Sequence, residues 1–324
     1  NSLKLLTNAG ANGRCLVLLA PSVGRSLASR ATGRAGFTGR VAAQPAGASA
    51  KQPLGERIAG LSLSLGQGAA MGGAALGLGA LCWYGAGLNS QPSALDKSVA
   101  WPAYARQRIR DTYAYLGLGV ASSAAATVVA FRSQKLMRLM HSGGWMSILL
   151  SSAACIGSCI AVQMLPYQPG LGAKQLAYMG FSGLMGCFIA PVCVLGGPLV
   201  LRAALYTGGI FGGLTAVAAC APDKKFLTWG GPLSIGLGVV FVSSLGSAFL
   251  GPASAAGLTM YSVSTYGGLL LFSGFLLYDT QLVADRAVSL PHYDPVNQAV
   301  HVYMDVLNIF VRIASIMAGG GRKK

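Results

Sequence analysis

Acidic side chains are scarce. Asp and Glu together number 8 in 324 residues, against 24 Lys and Arg, and only 10% of the chain is charged. A soluble domain of this size carries roughly a quarter charged residues. This shortage, set against 53% hydrophobic residues gathered in long runs, excludes an ordinary water-soluble fold and implies a polytopic membrane protein. Lipid offers the backbone no hydrogen-bond partners, so a spanning segment is a helix or part of a closed barrel. The runs far exceed the ~10-residue alternating strands of a membrane barrel. Helices remain.

Histidine is nearly missing as well. His141, His292 and His301 are the three in the chain, with no HExxH pair and no second ligand cluster. The glycine-rich stretch 208–213 lacks the GK[ST] ending of a phosphate loop. An intramembrane serine nucleophile would have only His301 as its candidate partner. No enzyme is expected. The formal charge of +16 raises nucleic acid as a partner, but the basic residues show no interleaving with aromatics and no nucleic-acid motif. Targeting and topology account for them, and no nucleic acid is expected. Six of the seven cysteines, Cys82, Cys155, Cys159, Cys187, Cys193 and Cys220, lie in apolar segments, where Cys behaves as a small hydrophobe. Cys155 and Cys159 share a helical face, but nothing converges there to complete a metal site. Buried packing is the expectation for both.

Residues 1–55 hold no Asp or Glu, while Lys4, Arg14, Arg25, Arg30, Arg34, Arg40 and Lys51 recur among Ala, Gly and Ser. That composition suits a mitochondrial transit peptide, assigned to about residues 1–40 with cleavage near 34–37. These residues are set aside from the fold. A basic polar segment, 41–58, follows. The first apolar run, 59–88, is glycine-rich, and Gly68/Gly72 and Gly73/Gly77 have the GxxxG spacing that lets helices pack closely in lipid. Seven further spans are predicted at 112–131, 144–165, 176–199, 203–221, 229–250, 261–278 and 300–318, within a membrane domain of 111–318. A basic tail, 319–324, closes the chain. Eight crossings place both termini on one side. That side also receives Arg132, Lys135, Arg138 and Arg202, so the positive-inside bias puts both termini in the matrix of an imported protein.

The few acids are informative by position. Glu56, Asp96, Asp111, Asp223, Asp285 and Asp294 fall at span ends or in loops, whereas Asp279 and Asp305 sit in apolar context. An intramembrane carboxylate costs a few kcal/mol and by default marks an ion or proton path. His301, Asp305, Asn308 and Arg312 follow i, i+4, i+7, i+11 and line one helical face, which suits a central helix. Asp279 ends one predicted span and Asp305 lies in the next, so antiparallel packing can bring them to similar depth. Two close carboxylates in low dielectric cannot both ionise cheaply and titrate as a unit. Deprotonated, they form a hard-oxygen site for Ca²⁺, for which protons would compete. Alternatively, Asp305 pairs only with Arg312 or His301, and Asp279 only caps loop amides.

The stretches LLLFSGFLLYDTQ and YMDVLNIFVRI, with GGPLVLRAALYTGGIFGGL, FVSSLGSAFL and YSVSTYGGLLLF, resemble the transmembrane Bax-inhibitor-motif family over residues 59–324. The transit-like region and glycine-rich first run are similar to its mitochondrial branch. The resemblance implies an all-α bundle of seven helices around a central last helix, plus one extra amino-terminal span. It also implies pH-sensitive Ca²⁺ leak or Ca²⁺/H⁺ antiport sensed by an aspartate pair, here Asp279 and Asp305, with no permanently bound cofactor. For the mitochondrial branch it implies the inner membrane, cristae organisation, resistance to apoptosis, cytochrome c retention and links to an inner-membrane AAA protease. In relatives a basic residue on the second family helix can latch the aspartates. Segment 144–165 has no Lys or Arg, which leaves Gln163 as its candidate latch, or Arg312 from the helix of Asp305. The rival expectation is a non-transporting membrane organiser whose glycine-rich first span makes the contacts.

Overall fold

The computed structural model describes Arg14 and residues 101–133, 145–170, 172–221, 224–250 and 254–320. Gly68, Gly72, Gly73 and Gly77, with the whole predicted first span, lie outside the described residues. Within them the chain is helical and has no strands. In order come α1 (Ala103–Arg132), α2 (Trp145–Met164), α3 (Ala173–Ile189), α4 (Gly197–Cys220), α5 (Gly230–Leu250), α6 (Ala255–Ser289) and α7 (Pro295–Gly320). Short 3-10 turns, Ala190–Leu195 and Phe226–Trp229, precede α4 and α5, and α6 passes through a π turn at Val263–Gly267. Six of these segments are long and apolar enough to cross a membrane, and α2 adds a shorter apolar helix. The chain is an all-α polytopic membrane protein.

Burial ranks the helices. In the most apolar stretch of α7, 72% of residues are buried, against 17–44% for the other five spans. α7 packs against α6, α1, α4 and α3, which makes it the central helix. The outer helices turn Leu201, Leu205, Ile235, Val242 and Phe249 outward, as lipid-facing surfaces do. Apolar burial gives little drive between helices already in lipid, so close packing and interhelical hydrogen bonds hold the bundle. α1 and α3 show both. Ser123 Oγ donates to the Ser182 carbonyl at 2.9 Å and Thr127 Oγ1 to the Gly186 carbonyl at 2.8 Å. Tyr303 of α7 joins them, its hydroxyl against Ser123 Oγ and 3.3 Å from the Ser182 carbonyl. A Cβ at Gly186 would collide with the Ser123 backbone. Gly186→Val should therefore cost about 1–3 kcal/mol by overpacking, read as a lower melting temperature in detergent, while Gly180→Val, where a Cβ meets open space, should not.

One end of the bundle is tied by polar contacts around the α6–α7 connection. Arg108 donates to the carbonyls of Ala287, Leu290 and Pro291 at 2.8–3.1 Å and stacks over Tyr104 and Tyr293. Burial pushes the Tyr293 phenol above the usual tyrosine range, so it stays protonated in its 2.6 Å hydrogen bond with Thr112. Asp294 accepts from the Val296 and Asn297 amides at 3.1 Å, capping α7, with Pro295 in the first helical turn. It also pairs with buried Lys174 of α3, which donates to the Leu165 carbonyl at 2.9 Å. Asp294→Ala should cost about 3 kcal/mol, because it removes a cap and leaves a buried ammonium short of its counter-charge. Lys174→Met should cost less, since the cap survives. Equal melting temperatures for the two variants would refute this ordering.

Several expectations change. α6 does not end at Tyr278 but runs ten residues past Asp279 to Ser289, where Pro291 follows. α7 starts at Pro295 rather than 300, and α1 at Ala103. The span predicted at 176–199 ends its α-helix at Ile189 and turns through a 3-10 segment before Gly196. Cys155 is disulfide-bonded rather than a packed thiol, while the other four described cysteines, Cys159, Cys187, Cys193 and Cys220, are free.

Candidate functional site

Asp279 and Asp305 occupy mirrored positions on two antiparallel helices. Asp279 lies ten residues before the end of α6, and Asp305 ten residues after the start of α7. At 1.5 Å per residue each is about 15 Å from the shared connection. The two side chains are 2% and 0% exposed. They meet at one cation, the guanidinium of Arg14. Its Nη1 contacts Asp279 Oδ2 and lies 3.0 Å from Asp305 Oδ1, and Nη2 is 3.5 Å from Asp279 Oδ1. Two oxygens within hydrogen-bonding range of one nitrogen are no more than about 6 Å apart.

The rest of the site holds this arginine in place. Its Cζ sits 4.0 Å from the centroid of the Phe275 ring, one turn before Asp279, a cation–π contact. Nη1 also lies 3.5 Å from the His301 carbonyl. Asn308 Nδ2 donates to the backbone carbonyl of Arg14 at 3.3 Å and to the Met304 carbonyl at 2.8 Å. The polar stripe read from the sequence therefore faces the bundle interior: His301, Asp305, Asn308 and Arg312 are all buried. Within it, Arg312 does not pair with Asp305. Its Nη1 donates to Asn308 Oδ1 at 3.0 Å, and its Cζ lies 4.6 Å from the centroid of the Phe272 ring. A Cβ on Gly268 would fall on that guanidinium, so the absence of a side chain there makes room for Arg312. Asp279 is no loop cap, being mid-helix. Gln163 Nε2 donates to Cys159 Sγ at 3.0 Å on its own helix, whereas the cation against both aspartates is Arg14.

Two carboxylates face the one guanidinium of Arg14, while Arg312 sits against Asn308 and Phe272 instead. Asp305 Oδ2 is buried and has no hydrogen-bond partner, an atom able to take a proton or face an entering cation. The described residues contain no cluster of three or more His, Cys, Asp or Glu. Ca²⁺ takes 6–8 oxygens. The two carboxylates and the His301 carbonyl are hard-oxygen donors of the right kind for a transient ion that keeps part of its water.

The basic partner was missed because Arg14 sits in an acid-free stretch read as an address and set aside from the fold. The apolar patch that follows it, 15–20, is too short to mark a membrane span.

Residues 105–322 match the family model described as "Inhibitor of apoptosis-promoting Bax1". A rat relative, growth hormone-inducible transmembrane protein, is 52% identical over 78% of this chain and 75% of its own length. Rat Bax inhibitor 1 is 27% identical over 68% of this chain and 88% of its own. Bax inhibitor 1 of Arabidopsis thaliana is 29% identical over 52% and 68% respectively.

Proposed function

The chain belongs to the Bax inhibitor family, and from that premise we propose that it moves Ca²⁺ across the mitochondrial inner membrane through the Asp279–Asp305 pair, as a Ca²⁺/H⁺ antiporter or pH-sensitive leak. The observation that carries this reading is that two buried carboxylates from different helices converge on one cation. A single buried carboxylate could be a structural ion pair. Two on one cation hold more negative charge than a guanidinium neutralises, which suits a divalent ion or a proton plus a monovalent one. Protonation of the pair removes the charge the cation needs, so the two compete for one place. Asn308 and Arg312 flank the pair and fix its polar wall. The relatives named as Bax inhibitors favour a role in resistance to apoptosis, and the relative of the mitochondrial branch favours that organelle, with both termini in the matrix and a contribution to cristae organisation.

The test is purified full-length protein in liposomes with Ca²⁺ and proton gradients imposed separately. Ca²⁺ movement driven by an opposing proton gradient identifies exchange; Ca²⁺ movement down its own gradient and gated by pH identifies leak. Absence of both, together with disturbed membrane architecture in cells carrying Gly72 or Gly77 substitutions, would establish instead an organising role through partners such as cytochrome c or an AAA protease.

A further inference from the structure

Three basic side chains are buried among the described residues: Arg14, Lys174 and Arg312. Arg14 faces Asp279 and Asp305, and Lys174 faces Asp294. Arg312 faces no acid. It is 6% exposed, and no described carboxylate lies within ion-pair range of it. Asp305, seven residues earlier on α7, is about 10 Å away along the helix axis and turns its bonded oxygen to Arg14. A guanidinium stays charged at any pH a cell reaches, and an uncompensated charge inside the bundle is costly. The groups that touch Arg312 are neutral. The Asn308 carbonyl and Oδ1 accept from Nη1 at 3.2 and 3.0 Å, and the Phe272 ring centroid lies 4.6 Å from Cζ. A ring face and two carbonyl oxygens attract a cation but bring no unit of negative charge.

The contacts also say where a counter-charge fits. Nη1 is engaged by Asn308. Nε has no hydrogen-bond partner and is covered by Gly268, whose Cβ would collide with it. Nη2 makes no hydrogen bond to a described residue and is the donor left over. Gly268 follows directly on the π turn Val263–Gly267, which packs against α5 and α7. Such turns are frequent at functional sites. About one turn back along α6, Ser264 shares a 2.5 Å hydrogen bond with Ser244 of α5, and both are buried. Two hydroxyls sharing one hydrogen bond keep a second O–H proton to donate. Neither α5 nor residues 255–278 of α6 contain Asp or Glu. This junction offers donors without a carboxylate, the reverse of the aspartate pair two turns away.

We propose that Arg312 Nη2, at the junction of α5, the π turn of α6 and α7, binds a small monovalent anion such as chloride, the counter-ion of a guanidinium for which the described residues supply no acid. The slight exposure of the side chain suits a bare halide rather than a phosphate ester. The inference goes beyond the transport reading and holds whether or not the chain moves Ca²⁺.

The test uses the full chain purified in detergent, with sodium chloride exchanged for sodium gluconate at constant ionic strength and thermal unfolding as the readout. Chloride and bromide should raise the melting temperature saturably, by about 3–5 °C at tenfold excess over Kd, and gluconate should not. Arg312→Met should abolish the response. Arg106→Gln, at an exposed arginine of α1, should keep it. Equal shifts in gluconate, a full response from Arg312→Met, or loss of the response in Arg106→Gln would overturn the proposal. Should Arg312→Met fail to fold, crystals of the parent grown in bromide decide the matter. An anomalous peak beside Arg312 supports the site, and its absence there overturns it.

Discussion

Asp305→Asn, in the full chain reconstituted in liposomes, is expected to cut pH-dependent Ca²⁺ flux at least about tenfold. The substitution keeps the size of a side chain that is wholly buried, so packing against α6 survives. What it removes is one of two unit charges at the point where a cation would sit. At an effective dielectric near 20, a unit charge about 3 Å from a divalent ion contributes about 11 kcal/mol before desolvation. Desolvation consumes much of that, and a surviving 1.4 kcal/mol is already tenfold. Asp305 is the more decisive of the pair, because its Oδ2 has no partner while both Asp279 oxygens face Arg14. The pH dependence should flatten as well, since one carboxylate no longer titrates against another. Asp279→Asn should act in the same direction. Normal flux from both variants, with correct insertion shown, would remove the pair from the transport path.

Asp279→Ala is expected to lower folding stability by about 3–5 kcal/mol, the cost of stripping one partner from a buried ion pair. The guanidinium of Arg14 would stay in the bundle with Asp305 as its one remaining carboxylate. A double-mutant cycle isolates the interaction. If Arg14 and Asp279 act together, Arg14→Leu with Asp279→Ala costs less than the two single changes added, by up to about 3 kcal/mol. Asp285→Ala is the matched control on the same helix: its partner Lys224, 3.1 Å away, is 64% exposed, and such surface pairs are worth about 0–1 kcal/mol. Asp279→Ala and Asp285→Ala melting together would show that Arg14 is not held by the pair.

Membrane class and the central last helix were legible because both rest on patterns that lipid enforces. A polar stripe at helical spacing, as in His301, Asp305, Asn308 and Arg312, has to face inward. The juxtaposition of Asp279 and Asp305 was legible as a possibility, since a short connection forces antiparallel neighbours. The ends of the helices were harder. The sequence TQLVADRAVS after Asp279 loses its apolar character, but a helix stops where its hydrogen-bond ladder stops, and α6 persists to Ser289 outside the apolar window. Asp294–Pro295 is a readable helix start, a capping acid followed by a proline at the first helical position. Mean apolarity hid it, because the first turn of α7, PVNQ, is polar. Arg14 was illegible for a different reason. A partner 265 residues away from Asp279 in the chain leaves no local spacing to detect, and its surroundings matched a targeting composition better than a core.

The equal setback of the two aspartates from the α6–α7 connection also bears on voltage. A binding point inside the spanning bundle lies part of the way down the transmembrane electric field. Moving one elementary charge through the whole field is worth about 2.3 kcal/mol per 100 mV, so a divalent ion that crosses a given fraction of the field exchanges twice that fraction of this amount. The guanidinium of Arg14 carries half the charge of a divalent ion, so the field acts on the two unequally. An energised membrane thus biases which cation the carboxylates hold, without any moving voltage sensor.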